Sequence, residues 1–194
     1  TQQENGSWRV DSKRPPLEES AVMGTAMSIR GLRDFAAGFR AGEVIERVEK
    51  GSKWLAKVEP KSTEDAVFLL AGRAWSGAPA EQISAAAKGL VARQREDGGW
   101  SQLPEMASDA YATGSALVAL HQQGGMATSD PAWQRGLAFL RQSQLDDGSW
   151  LVVSRSKPFQ KYFESGFPHG KSQFISVAAS SWGIQALILA GEKY

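Results

Sequence analysis

The sequence predicts an all-α protein made of repeated helical hairpins, and two observations carry that prediction. The first is a short motif that occurs three times in 194 residues: Gln, three residues rich in Asp, Glu or Asn, then Gly, one small residue and Trp. The second is an alternation along the chain between largely uncharged helical stretches and amphipathic ones. A motif of fixed spacing that contains a residue as rare as tryptophan is typical of a repeat architecture.

The three copies of the motif read QQENGSW, QREDGGW and QLDDGSW. A fourth, decayed copy is predicted from the alignment of Trp54-Leu55 with Phe139-Leu140, which places Glu59 at the motif's Gln position. The copies are about 47 residues apart on average, as in two-helix repeats. The defining residues of the three clear copies are Gln2, Gly6 and Trp8, then Gln94, Gly98 and Trp100, then Gln144, Gly148 and Trp150.

Seven helices are predicted, and no stretch is predicted to form a strand. The uncharged helices should form an inner layer and the amphipathic helices an outer layer, in a stack that curves because inner side chains are smaller. The uncharged helices are predicted over Leu17 to about Ala37, Glu64 to Trp75, Asp109 to about Gln123 with Ser108 as cap, and Phe174 to Ala190. The amphipathic helices are predicted over Glu43 to Val58, Glu81 to Gln94, and Pro131 to Gln144.

The stretch from Arg135 to Trp150, RGLAFLRQSQLDDGSW, resembles the QW repeat of squalene-hopene and oxidosqualene cyclases. The second copy departs from that pattern with Gly89 at its aromatic position, and the first copy shows only the tail of the motif. The resemblance implies an α/α toroid, a fold shared with protein prenyltransferase β subunits. Here about three and a half hairpins, in a single domain over residues 1–194, imply a partial or open barrel. A second copy in a homodimer, or the missing remainder of a longer chain, would complete it.

The QW element is interpreted as structural. Its indole is expected to cover the turn, while its Gln amide bonds a free backbone group at a helix end in the next unit. The adjacent acids of the turns, Glu96-Asp97 and Asp146-Asp147, are interpreted as solvated or helix-capping carboxylates.

The catalytic chemistry of the resembling family does not carry over residue by residue. Bacterial class II cyclases protonate an alkene with an Asp-x-Asp-Asp motif, which this sequence lacks, and prenyltransferases and thioester proteins need cysteine, of which it has none. The expected function is therefore to bind an apolar, terpenoid or lipid-like small molecule, or a partner, in the concave cavity without cyclase chemistry. Two alternatives stay open: a terpenoid cyclase with a non-standard acid or a missing catalytic segment, and a carbohydrate-active enzyme on the same scaffold. No cofactor and no metal are expected.

Two regions are candidates for a ligand pocket. Asp109 and Tyr111, at the start of an inner helix, offer an acid and an aromatic at the mouth of the cavity, or else a charge that complements the helix dipole and a core tyrosine. The long segment from Leu151 to Lys171 is interpreted as a lid or as a packed cover. It contains Phe167 and His169 together with Phe159, Tyr162 and Phe163. Trp182, in the last inner helix, lines the cavity or packs in the core.

Composition limits the remaining possibilities. A net charge of +1 gives no indication of nucleic-acid binding, and no apolar run reaches the roughly 18 residues of a transmembrane segment. The absence of cysteine leaves the compartment open. Together with a start at Thr1 inside a motif, which suggests a processed or trimmed chain, it favours an extracytoplasmic or periplasmic location.

Overall fold

The computed structural model describes residues 1–36, 38–158 and 160–191, and in these residues the chain forms seven α-helices in the predicted order. The predicted all-α class is confirmed. The helices are α1 Ala21–Phe35, α2 Ala41–Leu55, α3 Thr63–Ser76, α4 Ala80–Val91, α5 Ala110–Gln122, α6 Pro131–Ser143 and α7 Gln173–Leu189. A 3-10 helix, Gly170–Ser172, precedes α7, and two short strands, β1 Trp100–Ser101 and β2 Ser108–Asp109, lie before α5.

The helices form two layers. The inner row runs α1, α3, α5, α7, and each member packs mainly on its neighbours in that row. The outer helix α2 packs on α1 and α3, α4 packs on α3 and α5, and α6 packs on α5 and α7. The central inner helix α5 is buried at every position from Ala110 to Leu120, because its stretch without charges needs apolar neighbours on all sides.

The three helix boundaries that differ most from their predicted positions are the start of α1 and the ends of α2 and α4. The first helix begins at Ala21 instead of Leu17, because the hydroxyl of Ser20 accepts hydrogen bonds from the backbone N–H groups of Val22 and Met23 and caps the helix there. Its predicted end at Ala37 lies outside the described residues. The amphipathic helices α2 and α4 each end three residues before their predicted ends.

The start of α5 also differs from the prediction. Asp109, not Ser108, is the N-cap, and its carboxylate accepts a hydrogen bond from the N–H of Ala112 at 2.9 Å. Ser108 pairs instead with Ser101 in an antiparallel ladder of β1 and β2. The prediction that the chain has no strand is therefore wrong at this one place, where the chain turns back after the second QW motif.

Candidate functional site

The three QW turns share one backbone geometry. In the second turn the N–H of Gly98 donates to the carbonyl of Arg95 at 3.0 Å, and the first and third turns repeat this bond. The motif glycines, Gly6, Gly98 and Gly148, have φ angles of +95°, +85° and +80°. Because L side chains rarely adopt this left-handed conformation, the turn requires glycine.

The acids of the turns stabilise the turns themselves. Oδ1 of Asp97 accepts from the N–H of Gly99 at 2.9 Å, and Oδ1 of Asp147 accepts from the N–H of Ser149 at 2.9 Å. In the first turn Asn5 makes the same bond to Ser7 at 3.0 Å. Since a neutral amide does the same as the two carboxylates, this turn does not require the charge.

The motif tryptophans fasten each turn to its own hairpin. Trp100 and Trp150 are fully buried, and their indole N–H groups donate to the carbonyls of Leu90 and Leu140 at 2.8 Å in each case. The backbone N–H of each motif tryptophan also donates to a hydroxyl of the following inner helix. These pairs are Trp8 with Thr25, Trp100 with Thr113, and Trp150 with Ser180.

The decayed copy replaces the indole by a guanidinium. Leu55, which aligns with Leu140, accepts hydrogen bonds on its carbonyl from Nε and Nη2 of Arg73 at 3.2 and 3.1 Å. The same carbonyl position is therefore bonded by an indole in two units and by an arginine in this one. Such a replacement explains how this unit keeps its packing without the Gly and Trp of the motif.

The glutamines of the first two turns reach across to the next outer helix. Nε2 of Gln2 donates to the carbonyls of Gly6 at 3.0 Å and Arg47 at 2.9 Å. Nε2 of Gln94 donates to Gly98 at 2.8 Å and Ala132 at 2.7 Å. The expectation of a free acceptor at a helix end is wrong, because Arg47 lies in the middle of α2. A helical carbonyl has a second lone pair and can accept the side chain as well.

The third turn is not covered in this way. Among the described residues, Nε2 of Gln144 bonds only the carbonyl of Gly148, at 2.9 Å. A Cβ added to Gly98 would lie 2.7 Å from the carbonyl oxygen of Arg135, whereas one added to Gly148 would meet only Nε2 of Gln144, at 3.9 Å. Gly6 and Gly98 are buried beneath the outer helices, and Gly148 is exposed.

The exposed face of α7 lies at the same end of the inner row. Four large apolar side chains share that face and are 40 to 56% exposed: Phe174, Val177, Ile184 and Ile188. The polar residues exposed on it, Ser181 and Gln185, are uncharged. We call this face together with Gln144 and Gly148 the open edge.

A buried carboxyl joins the starts of α3 and α5. The hydroxyl of Tyr111 donates to Oε2 of Glu64 at 2.7 Å, and the two residues are only 3% and 6% exposed. Burial raises the pKa of Glu64 to about 8, against the lowering effect of the Tyr111 hydrogen bond. Tyr111 was predicted from the sequence and Glu64 was not, although Glu64 is one of two acids in the first turn of a mostly apolar helix.

Asp109 belongs to a neighbouring chain of hydrogen bonds. Nε2 of Gln102 donates to Oδ2 of Asp109 at 3.0 Å, and Nε of Arg155 donates to Oε1 of Gln102 at 2.7 Å. Burial raises the pKa of Asp109 from its ordinary value. Arg155 comes from the long loop before α7 and so places that loop over the starts of the inner helices.

The loop is tied down at its two ends and exposed between them. The N–H of Val152 donates to the hydroxyl of Ser176 at 3.1 Å, and Gln173 bonds the backbone of Phe163 and Ser165 at 2.7 and 2.6 Å. The side chains of Tyr162 and Phe163 are 56% and 64% exposed. Phe159 lies outside the described residues. Whether the loop acts as a lid stays a prediction.

His169 pairs with Ser149 at 2.9 Å between Nε2 and Oγ. This pair is not arranged as a base and nucleophile, because the Ser149 hydroxyl donates to Oδ1 of Asp147 at 2.6 Å. Ser7 donates to Asn5 in the same way in the first turn, at 2.8 Å. The histidine therefore fastens the loop to the third QW turn.

The five sequence-predicted pocket residues lie in three different surroundings. Asp109 and Tyr111 share the buried region at the starts of α3 and α5. Phe167 contacts His169 edge to face, with ring centroids 6.1 Å apart, in the loop. Trp182 is half-buried where α7 crosses α5, and a Cβ at Gly114 would lie 2.8 Å from its carbonyl carbon.

Within the described ranges, no three His, Asp or Glu side chains cluster in a way that could hold a metal ion. One segment, Gly170–Leu189, is long and apolar enough to cross a membrane by composition, but just under half of it is buried and it contains α7, which packs on α5. The absence of a transmembrane segment stays a prediction.

The comparisons with known proteins agree with this architecture. The family described as the squalene-hopene cyclase N-terminal domain matches residues 40–144, more than half of the chain, and the chain belongs to that family. The match runs from just before α2 to the Gln of the third motif, so it includes the second QW turn and the Glu64–Tyr111 pair. No curated protein shows a significant match.

Proposed function

We propose that this cyclase-like repeat domain is a binding domain without cyclase chemistry, and that its open edge pairs with a second copy of the chain. Two such arcs would enclose a shared concave cavity for an apolar, terpenoid or lipid-like molecule. One observation carries the proposal: the first two QW turns are covered by the next outer helix, whereas no described residue covers the third, which lies beside an exposed apolar face.

The composition of that face favours a second copy as the occupant. In a chain with 22% charged residues, the exposed face of α7 carries no charge. A symmetric dimer uses the same surface patch on both subunits. Two copies of this chain can meet through this face without repulsion between like charges. The pairing would extend the inner row, because α7 of one copy would take the place next to α7 of the other.

Burial of the apolar side chains supplies the driving force. Each large aliphatic side chain that becomes fully buried contributes about 1.5 to 3 kcal/mol, less what it already gains where it is partly covered. Ile184 and Ile188 are 41% and 56% exposed, so each retains apolar surface to bury. Gln144, at the rim of the face, has an amide N–H available for a backbone carbonyl of the partner.

An enclosed small-molecule site within one copy has less support. The two best-defined grooves of the described residues are lined almost entirely by polar and charged residues and prolines, one of them by Gln94 to Asp97. Because these grooves are polar, we place the apolar ligand in a cavity that two copies form together.

The buried Glu64 is the observation that would favour a cyclase with a non-standard acid. A carboxyl whose pKa is about 8 is, however, a weak acid, and protonation of a carbon-carbon double bond demands a strong one. Burial therefore acts on Glu64 in the direction opposite to what that chemistry needs. The hydrogen bond between Tyr111 and Glu64 is better explained as a structural contact between α3 and α5 than as part of a catalytic site.

Native mass spectrometry over a concentration series tests the proposal. We expect a dimer for the natural chain, a monomer for Ile184→Lys/Ile188→Lys, and a retained dimer for the control Ile45→Lys, whose side chain is 59% exposed on α2. All three should keep the same helical circular dichroism. A monomer at every concentration would refute the pairing, as would a double variant that dimerises like the natural chain.

The same spectra separate the alternatives. An adduct of lipid mass that is lost together with the dimer supports the shared cavity, and a dimer without any adduct argues against the ligand. Turnover of squalene by the purified chain would favour the cyclase alternative. Eliminative cleavage of an acidic polysaccharide would favour a carbohydrate-active enzyme.

A further inference from the structure

Two segments distant in the sequence face each other across an open groove of about 570 Å³. One is the loop that leads to α1, and the other is the start of the long loop before α7. The groove is lined by Ser12, Lys13, Arg14, Pro15, Glu19, Arg155, Lys157 and Pro158.

Positive charge is concentrated at this groove. Four of its lining side chains are cationic and one, Glu19, is acidic, although the whole chain has a net charge of only +1. Arg14 is paired with Glu18, so Lys13, Lys157 and Arg155 are the cations that matter for the groove. Within the described residues, neither Lys13 nor Lys157 takes part in a salt bridge, and both are exposed. Their charges lie within a Debye length of the groove and are not neutralised there.

Arg155 is held in a fixed position at the groove. Its Nε donates to Gln102, which is itself 2% exposed and bonded to Asp109. The guanidinium is thus fixed through Nε, while its Nη2 lies 3.9 Å from the carboxylate of Glu19. That distance is too long for a hydrogen bond. A planar guanidinium with terminal N–H groups to spare is suited to bind two oxygens of one anion.

We propose that this groove binds the phosphate or diphosphate group of a small molecule or of a lipid headgroup. The lysines supply point charges and Arg155 supplies the directional contact, a combination that suits a compact polyanion. Glu19 is the repulsive group of the site, and its side chain is 53% exposed and can turn away into water. This site is independent of the open edge, so either proposal can fail without the other.

Isothermal titration calorimetry with inorganic pyrophosphate tests the site. We expect saturable binding that Lys13→Gln/Lys157→Gln weakens roughly tenfold, the loss expected when two exposed charge contacts are removed. The control is Lys57→Gln/Lys88→Gln. It removes one exposed lysine from the region after α2 and one from α4, and it should bind pyrophosphate like the natural chain. Glu19→Gln should bind several-fold more tightly because the repulsive charge is gone.

Flotation with phosphatidylcholine vesicles, with and without phosphatidylglycerol, distinguishes the two sources of the anion. Binding of pyrophosphate alone indicates a small molecule, and binding of anionic vesicles alone indicates a headgroup, provided that the site variant weakens it. No saturable binding of either probe would overturn the proposal. Equal affinities in the natural chain and the site variant would overturn it as well, and Glu19→Gln decides the matter if the double variant fails to fold.

Discussion

The second and third QW turns make the same tryptophan contacts with the preceding outer helix, but they differ in their contacts with the next outer helix. Trp100 and Trp150 are both fully buried and bond equivalent carbonyls at the same distance. Gln94 and Gly98, in contrast, are covered by α6, whereas nothing in the described part of the chain covers Gln144 and Gly148 in this way. The motif therefore has two separable parts: tryptophan stabilises its own hairpin, and glutamine and glycine connect one hairpin to the next.

Replacement of the tryptophans should give the largest loss of stability, and the loss should be the same in the second and third turns. Trp100→Ala and Trp150→Ala are each expected to lower the free energy of unfolding by about 3 to 5 kcal/mol, the usual cost of removing a buried large aromatic. Urea unfolding of the two variants and of the natural chain measures this loss. A loss under about 1 kcal/mol for Trp150→Ala alone would mean that the third turn is not an equivalent structural unit.

The buried carboxyl should make the α3–α5 junction depend on pH. The contacts of the third QW turn with α7 should not, because there Trp150 and Val152 bond the neutral hydroxyls of Ser180 and Ser176. The native pKa of Glu64, about 8, lies above its ordinary value of 4.5, so between these values the native state holds a proton that the unfolded state has released. Stability should therefore fall as the pH rises from about 5 to 8, by at most about 1.4 kcal/mol per pH unit.

Glu64→Gln tests this assignment, because an amide is neutral at every pH and its oxygen can still accept from Tyr111. Denaturant unfolding at several pH values should give a flatter profile for Glu64→Gln than for the natural chain. An equally steep decline in both proteins would place the titrating group elsewhere, with Asp109 as the next group to replace.

The glycines should show the difference between a covered and an uncovered turn. Both Gly98→Ala and Gly148→Ala force a side chain into the left-handed region, at a cost of about 1 to 2 kcal/mol. Only at Gly98 does the new methyl group also strike the backbone of α6, which should add about 1 to 3 kcal/mol. Thermal unfolding of the two variants side by side measures the gap, and equal losses would show that the third turn is covered in solution.

Replacement of the glutamines should give the smallest difference in stability between the two turns, and this difference also tests the pairing of two copies. Gln94→Ala removes an amide that bonds two carbonyls and leaves them with fewer partners, so a loss of about 1 to 3 kcal/mol is expected. Gln144→Ala removes one bond and should cost about 0.5 to 1.5 kcal/mol. If the open edge pairs with a second copy, the cost of Gln144→Ala should grow with protein concentration, and that of Gln94→Ala should not.

Much of the fold was predictable because its signals are local. The fixed spacing of Gln, Gly and Trp, and the alternation of charged and uncharged helices, predicted seven helices and their two layers. Element ends were less predictable. At α5 two adjacent residues, Ser108 and Asp109, could both cap the helix, and the β-ladder with Ser101 decided which one did.

The candidate site was predictable only in part. The sequence drew attention to Asp109 and Tyr111 through their place at a helix start, but it gave no reason to connect them with Arg155, which reaches that region through Gln102. It also selected His169 as a pocket residue of the loop, but it gave no reason to expect the contact of His169 with Ser149.

The sequence by itself determined the repeat, the helical class and the backbone of each QW turn, because these depend on residues a few positions apart. Only the tertiary structure decided which turn is covered, which carboxyl is buried and where the cations meet. Glu64 and Tyr111 lie 47 residues apart along the chain, and the raised pKa arises from burial that no local pattern specifies. Contacts over such distances follow from how the helices pack against one another.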